Sequence, residues 1–395
     1  MKIKGNYSHT LRVSYIAYIV QAIAVNFSPL LFVTFSKTYG LSLTNISGLI
    51  LFTFVVQLIV DFTSAKFIHI IGYRVCAVSA HIVAAAGFIL LGFLPDICGN
   101  PFVGIMIACL FYSLGSGLIE VMVSPIVESC PTPNKESAMA FLHSFYCWGT
   151  ALVIVVSTLF FKFFGIENWH IMSYIWAIIP ICNGVVYMFV PINSIDEADG
   201  EGTIKNLFSY KIIYVIILLM IASGASELAM SQWASAFAEK GLNVSKTVGD
   251  IAGPCMFAIM MGTGRVIYSA LAKKVNILLY MAASAAFCIL SYLMVALCDN
   301  PIAALIGCAF VGLSVGVFWP GTFSFATKKC PDGGTAMFGI LAFSGDLGCT
   351  IGPAIVGYVS GAFSDNIKMG LLFGVVFPII LLSTSLAIKI CSKKR

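Results

Sequence analysis

The tetrapeptide Cys98-Gly99-Asn100-Pro101 returns two hundred positions later as Cys298-Asp299-Asn300-Pro301. Cys130-Pro131 comes back at the same offset as Cys330-Pro331, while Ala138-Met139 and Phe145 match Ala336-Met337 and Phe343 at an offset of 198. Three anchors in one order at nearly one spacing imply two structurally equivalent halves. Of the 395 residues, 59% are hydrophobic and only 10% charged, with a mean hydropathy of +0.99. Ordinary globular chains are about 25% charged, so the halves read as membrane bundles. Equivalent loops can emerge on the same side only if each half holds an even number of spans.

A span needs roughly 20 apolar residues, and twelve such runs are found. They lie near 12–35, 44–64, 75–94, 102–126, 137–163 and 170–191, then near 210–236, 247–271, 275–297, 302–325, 335–361 and 367–389. The expected fold is therefore an all-α membrane protein of two pseudo-symmetric six-helix bundles. The bundles occupy residues 1–192 and 207–395, joined by a polar, acidic cytoplasmic linker over 193–206. Lys and Arg favour the cytoplasmic side. With the N-terminus inside, seventeen of the 22 fall there and only Lys37, Lys162, Lys240, Lys246 and Lys368 fall outside. Both termini are expected in the cytoplasm, with the chain a multi-pass protein of the plasma membrane. The +5 charge is thus a topology signal and does not point to nucleic acid. The first apolar run carries Gln21, Asn26 and Pro29 and is too long for the core of a cleavable signal, so it reads as a permanent helix. Most of the 13 cysteines fall inside spans, where a thiol behaves as a small apolar residue. No CxxC and no Cys/His spacing suggests a metal or other cofactor.

Ionisable groups in hydrocarbon are costly, so each is a functional candidate. Glu120 in span 4, Glu227 in span 7 and Asp346 in span 11 lie at mid-span and are candidates for proton coupling. The plainer reading of each is an acid held by a buried base, pinning two helices together; Arg265 in span 8 needs such a partner, and Asp346 is one. Glu120 has the richest setting, Gly115-Ser116-Gly117-Leu118-Ile119-Glu120 followed by Pro125. Small residues there allow close helix approach, and Pro125 would weaken the helix and free a carbonyl. Gln21 and Asn26 on span 1, His143 and Trp148 on span 5, Gln232 and Trp233 on span 7 and Trp319 on span 10 lie at comparable depth. Amides and carboxylates bracket vicinal hydroxyls, and an indole offers its face to the C–H side of a sugar. These residues, with Glu120 and Glu227, are the expected solute contacts. His143 also suits a proton relay or plain packing, whereas Trp169 and Trp176 read as interfacial anchors. Asp61, Gly72 and Arg74 surround the short loop between spans 2 and 3, and Gly264-Arg265 holds the matching place in the second half. These are expected to gate.

Together these features resemble the fucose–proton symporter family of the major facilitator superfamily. Gly115-x-Gly117-x-x-Glu120 with Pro125 is similar to that family's span 4 and its embedded glutamate. Gly224-Ala225 with Glu227 is similar to span 7 of its relatives, including sodium-linked sugar carriers. Pro320 with Thr322-Phe323-Ser324, and Gly352-Pro353 with Gly357-Tyr358, resemble spans 10 and 11. The fucose carriers pair the span 4 glutamate with an aspartate in span 1, where this chain reads Ala24-Val25-Asn26-Phe27-Ser28-Pro29. Asn26 can keep a polar contact but cannot carry a proton, which argues against fucose itself.

The expected function is secondary active transport of a small polar solute, a sugar first, by alternating access between the bundles. The coupling cation would be H+, with Na+ as the alternative, and the working form a monomer in the bilayer. Transport of a nucleoside, drug efflux, a transport-dead receptor and a membrane-embedded enzyme are the other readings. No G-x-x-x-x-G-K-[ST] loop supports an ATP-driven pump. Gly345-Asp346 departs from the Gly-x-Gly-Asp of intramembrane aspartyl proteases at Phe343, and Asp61 at a span end makes a poor second aspartate for such a dyad.

Overall fold

The computed structural model describes residues 7–132, 135–193, 207–271, 275–330 and 334–393, so the linker expected at 193–206 lies almost wholly outside the described residues. Twelve helices among those residues are long and apolar enough to cross a membrane. They are α1 Tyr7–Tyr39, α2 Leu43–Thr63, α3 Tyr73–Leu91, α4 Pro101–Ser129, α5 Ser144–Phe164 and α6 Ile166–Tyr187. The series continues with α7 Ile212–Gly241, α8 Lys246–Tyr268, α9 Ile277–Leu297, α10 Pro301–Lys329, α11 Gly339–Ala362 and α12 Ile367–Ile390. Several overrun the apolar runs by a few residues, because a helix can continue past the hydrocarbon into polar surroundings.

The echoed tetrapeptide is a helix-starting device. Asn100 accepts the Phe102 N–H at 3.0 Å, and Asn300 accepts those of Ile302 and Ala303 at 2.9 and 3.3 Å. Each Asn is an N-cap, and the following Pro takes the first helical position, where its missing N–H is not needed. The second echo ends the same two helices. Cys130 and Cys330 close α4 and α10, their N–H groups reaching the carbonyls of Val127 and Ala326, and both thiols are buried.

Breaks fall where the backbone ladder is interrupted. A 3-10 turn at Ser28–Leu31, with Pro29 as its second residue, interrupts α1, and α10 is interrupted between Val315 and Phe318. The C-terminal part of α7 and the early part of α8 each contain a π-helical turn, Phe237–Gly241 and Ile251–Cys255, the second around Pro254. Pro125 breaks nothing: α4 runs unbroken from Pro101 to Ser129.

The chain divides into two compact units, residues 1–41 with 48–196 and residues 42–47 with 197–395. Lipid tails are as apolar as leucine, so close packing and hydrogen bonds rather than water expulsion hold such bundles together. In the first unit α3 and α4 approach closely: a Cβ on Gly115 would lie 2.5 Å from the Ala80 carbonyl oxygen. In the second, α11 lays Gly345, Gly348 and Gly352 against Gly224, Ile221 and Ala225 of α7. A Cβ on Gly348 or Gly352 would run into the backbone carbonyl oxygen of Ile221 or Ala225, and one on Gly224 into that of Gly345.

Two expectations for tryptophans are overturned. Trp169 and Trp176 are buried at 1% and 3% exposure, Trp176 donating its indole N–H to Ser157 at 3.0 Å. Interior polar partners and packing hold them, so they do not serve as interfacial anchors. Trp148 stands 63% exposed on one stripe of α5 with Leu152, Val156, Leu159 and Phe163.

Candidate functional site

In the first unit the polar groups converge on Glu120. The acid is half-buried on α4, and Gln21 of α1, only 5% exposed, hydrogen-bonds to it. The Gln21 carbonyl oxygen Oε1 is buried with no hydrogen-bond partner among the described residues. The amide therefore directs its N–H toward the acid and holds an acceptor empty beside it. Just beyond, the Tyr18 hydroxyl meets that of Ser124 at 3.2 Å.

Asp61 joins this group. It sits near the end of α2, half-buried, and interacts electrostatically with Glu120. Asp61 is also expected, with Gly72 and Arg74, to belong to a gating set. Arg74 donates to the carbonyl oxygens of Tyr187 and Met188, both at 2.9 Å. It thereby caps the C-terminal end of α6, where a cation also meets the negative end of the helix dipole. Gly72 starts the following helix with φ +93°, in the region that glycine alone enters freely.

Asn26 turns its amide to the Ala22 carbonyl at 2.9 Å and the Thr150 hydroxyl at 3.2 Å, tying α1 to α5. That is a packing contact. Trp148, exposed on its apolar stripe, does not belong to the buried group around Glu120, and the side chain of His143 lies outside the described residues. His81 went unnoticed in the sequence. It is fully buried, with Nδ1 2.7 Å from the Ala77 carbonyl and Nε2 2.9 Å from the Asn183 amide. Asn183 also donates to the Val13 carbonyl at 3.0 Å, so the pair binds α1, α3 and α6 together. Its partners assign the proton to Nδ1 and leave the ring neutral.

In the second unit Glu227 on α7 is 6% exposed, and its Oε2 has no hydrogen-bond partner among the described residues. Arg265 on α8 acts on it electrostatically, an interaction the sequence reading did not offer. The ring of Trp319 crosses α11 at Gly345: a Cβ there would collide with it. Trp319 is half-buried and Asp346, next to Gly345, is also half-buried. Trp233, in contrast, is fully enclosed, and its indole N–H donates to the Pro353 carbonyl at 2.9 Å. It fastens α7 to α11 and has no face to offer a solute, so its expected role as a contact is withdrawn. Gln232 beside it is 3% exposed.

Twelve helices long and apolar enough to cross a membrane among the described residues define a polytopic membrane protein. Residues 14–353 match the model of the Major Facilitator Superfamily, and the chain belongs to that superfamily. As a member of that superfamily the chain is a secondary transporter. Solved structures agree on the fold. A bacterial homologue of the human lysosomal transporter Spinster, inward-facing and unoccupied, aligns at TM-score 0.79 with 11% identity, covering 97% of this chain and 96% of that one. The nucleoside transporter NupG aligns at 0.74 with 12% identity over 96% and 98% of the two chains. A D-xylose–proton symporter aligns at 0.76 with 11% identity over 96% and 97%. At such identities the likeness is one of fold and leaves the solute open. The curated proteins contain no match.

Proposed function

We propose that this chain moves a small polar solute, a sugar in first place, across the plasma membrane by alternating access, with protons as the driving cation and Glu120 as their carrier. The observation that carries the reading is the buried, unpartnered Oε1 of Gln21 next to Glu120. A buried acceptor without a donor is uncommon and asks for one. A hydroxyl-rich solute supplies donors of that kind, whereas an apolar drug does not. Glu227 presents a second such acceptor, and Trp319 supplies a half-buried ring at Gly345, suited to the C–H face of a sugar. The proton-coupled pentose carrier among the structural neighbours is consistent with this reading. The nucleoside carrier NupG supports a second solute class, since a ribose bears vicinal hydroxyls and a base can stack on an indole. A monomer with both termini in the cytoplasm completes the proposal.

Proteoliposome uptake tests it. A panel of radiolabelled monosaccharides and nucleosides is offered with and without an inward proton gradient, and separately with a sodium gradient. The expected result is accumulation of a monosaccharide that requires the proton gradient. The variant Glu120→Gln keeps shape and hydrogen bonding but cannot titrate, so it should exchange solute at equilibrium yet fail to concentrate it. Such an acid couples the gradient only if solute affinity differs between its two protonation states. Full gradient-driven accumulation by Glu120→Gln would falsify its role.

A further inference from the structure

We infer that Asp61 and Glu120 form one two-carboxyl proton site, built by the parallel packing of α2 and α4. This deepens the coupling reading of Glu120 by adding the residue that shares its proton. The geometry rests on helix register. Consecutive spans alternate in direction, so α2 and α4 run the same way. At one level their backbones touch: a Cβ on Gly117 would lie 3.3 Å from Gln57 Cα and 3.3 Å from Val60 Cβ. At the same level Gln57 Nε2 donates to the Ser116 hydroxyl at 3.3 Å. Four residues further along each helix, about 6 Å down both axes, stand Asp61 and Glu120. Residues four apart share a helix face, so the faces that join Gln57 to Ser116 also bring the two acids together. Their electrostatic interaction follows from that placement.

Two carboxyl groups held this close in a poorly solvated place do not readily ionise together. A proton on one becomes a hydrogen-bond donor to the other, and the protons leave in two steps that belong to the pair. Among the described residues, charged and hydrogen-bonding groups on the helices packed around α4 are engaged elsewhere or exposed. Arg74 caps α6, His81 is bound to Asn183, and Tyr18 meets Ser124. Arg12 on α1 is exposed, and the side chains of Lys66 and His143 lie outside the described residues. Gln21 approaches Glu120 from α1 and leaves its Oε1 for a further donor. Solute and proton would then meet at a single acid, with Asp61 behind it as the second proton holder.

The test needs no solute. Infrared difference spectra of the detergent-purified chain are recorded through a pH titration, following the carbonyl stretch of protonated carboxyl groups. Glu120→Gln identifies the Glu120 band by its loss. In Asp61→Asn the midpoint of the Glu120 band should move by one pH unit or more, a tenfold change in proton affinity. In the wild-type protein the two bands should titrate in linked, well-separated steps. Asp61→Glu, which keeps an acid at the place, should retain the two-step behaviour, and it stands in if the Asn variant does not fold. A Glu120 midpoint unmoved in Asp61→Asn, or a single unlinked step in the wild-type and Asp61→Glu proteins, would overturn the pair. Either result is independent of whether the proteoliposomes accumulate a sugar, so failure of the pair and failure of the transport reading are told apart.

Discussion

At the scale of single residues, tryptophans on neighbouring spans of the second unit separate structure from function. Trp233 is fully enclosed and its indole N–H is bound to the Pro353 carbonyl. Replacing it with Phe removes the donor and leaves a buried carbonyl unsatisfied, which costs roughly 1–3 kcal/mol. Thermal unfolding in detergent should therefore show a clear fall in midpoint for Trp233→Phe, with the solute affinity of the remaining folded protein unchanged. Trp319 lies half-buried with its ring over Gly345. Trp319→Leu should leave the unfolding midpoint near that of the wild type and weaken solute binding about fivefold, the loss of a stacking contact worth roughly 1 kcal/mol. Equal effects of the two variants on stability would remove Trp319 from the proposed site. The same contrast shows what residue type alone conceals: both are mid-span tryptophans in sequence, and only packing tells which ring has a free face.

At the scale of elements, what was legible follows how local the cause is. The Cys-x-Asn-Pro repeat could be read because an N-cap and its proline are determined within four residues. Both copies start a helix, α4 and α10. Asn100→Ala and Asn300→Ala should each lower stability by about 1 kcal/mol, Asn300 somewhat more since it accepts two N–H groups against one. Unfolding of each variant reads this directly, and a neutral Asn300→Ala would mean that the cap is dispensable. The pairing of Asp61 with Glu120 could not be read the same way. It depends on which helices are neighbours and in what register, and no short stretch carries that. One signal was available: Gln57 and Asp61 share a face of α2, and Ser116, Gly117 and Glu120 crowd one side of α4. The His81–Asn183 contact was hidden for a like reason, its partners standing 102 residues apart. Arg74 is a further case: the loop pattern suggests a gate but carries no sign that the side chain caps the helix ending at Tyr187.

At the scale of the whole molecule, the repeat and the distribution of basic residues make a joint demand on the membrane. Six spans per half and the proposed cytoplasmic N-terminus would place the loops before α4 and before α10 on the outer face, and each carries one free, partly exposed cysteine, Cys98 and Cys298. Cys130 and Cys330, at the other ends of those helices, are buried. A maleimide reacts with the thiolate and so needs water at the sulfur; a membrane-impermeant one tests the topology without any knowledge of the solute. Intact cells producing the chain should be labelled from outside, about half of the label should disappear in Cys98→Ser and in Cys298→Ser, and nearly all of it in the double variant. Cys182, exposed along α6 among the apolar side chains Ile175, Ile178 and Val185, is out of reach of a reagent that cannot enter the membrane and should stay unlabelled. Inside-out vesicles should leave both loop cysteines unmodified. Labelling of one from each face would break the parity of the two halves, and with it the parallel repeat from which the twelve-span reading began.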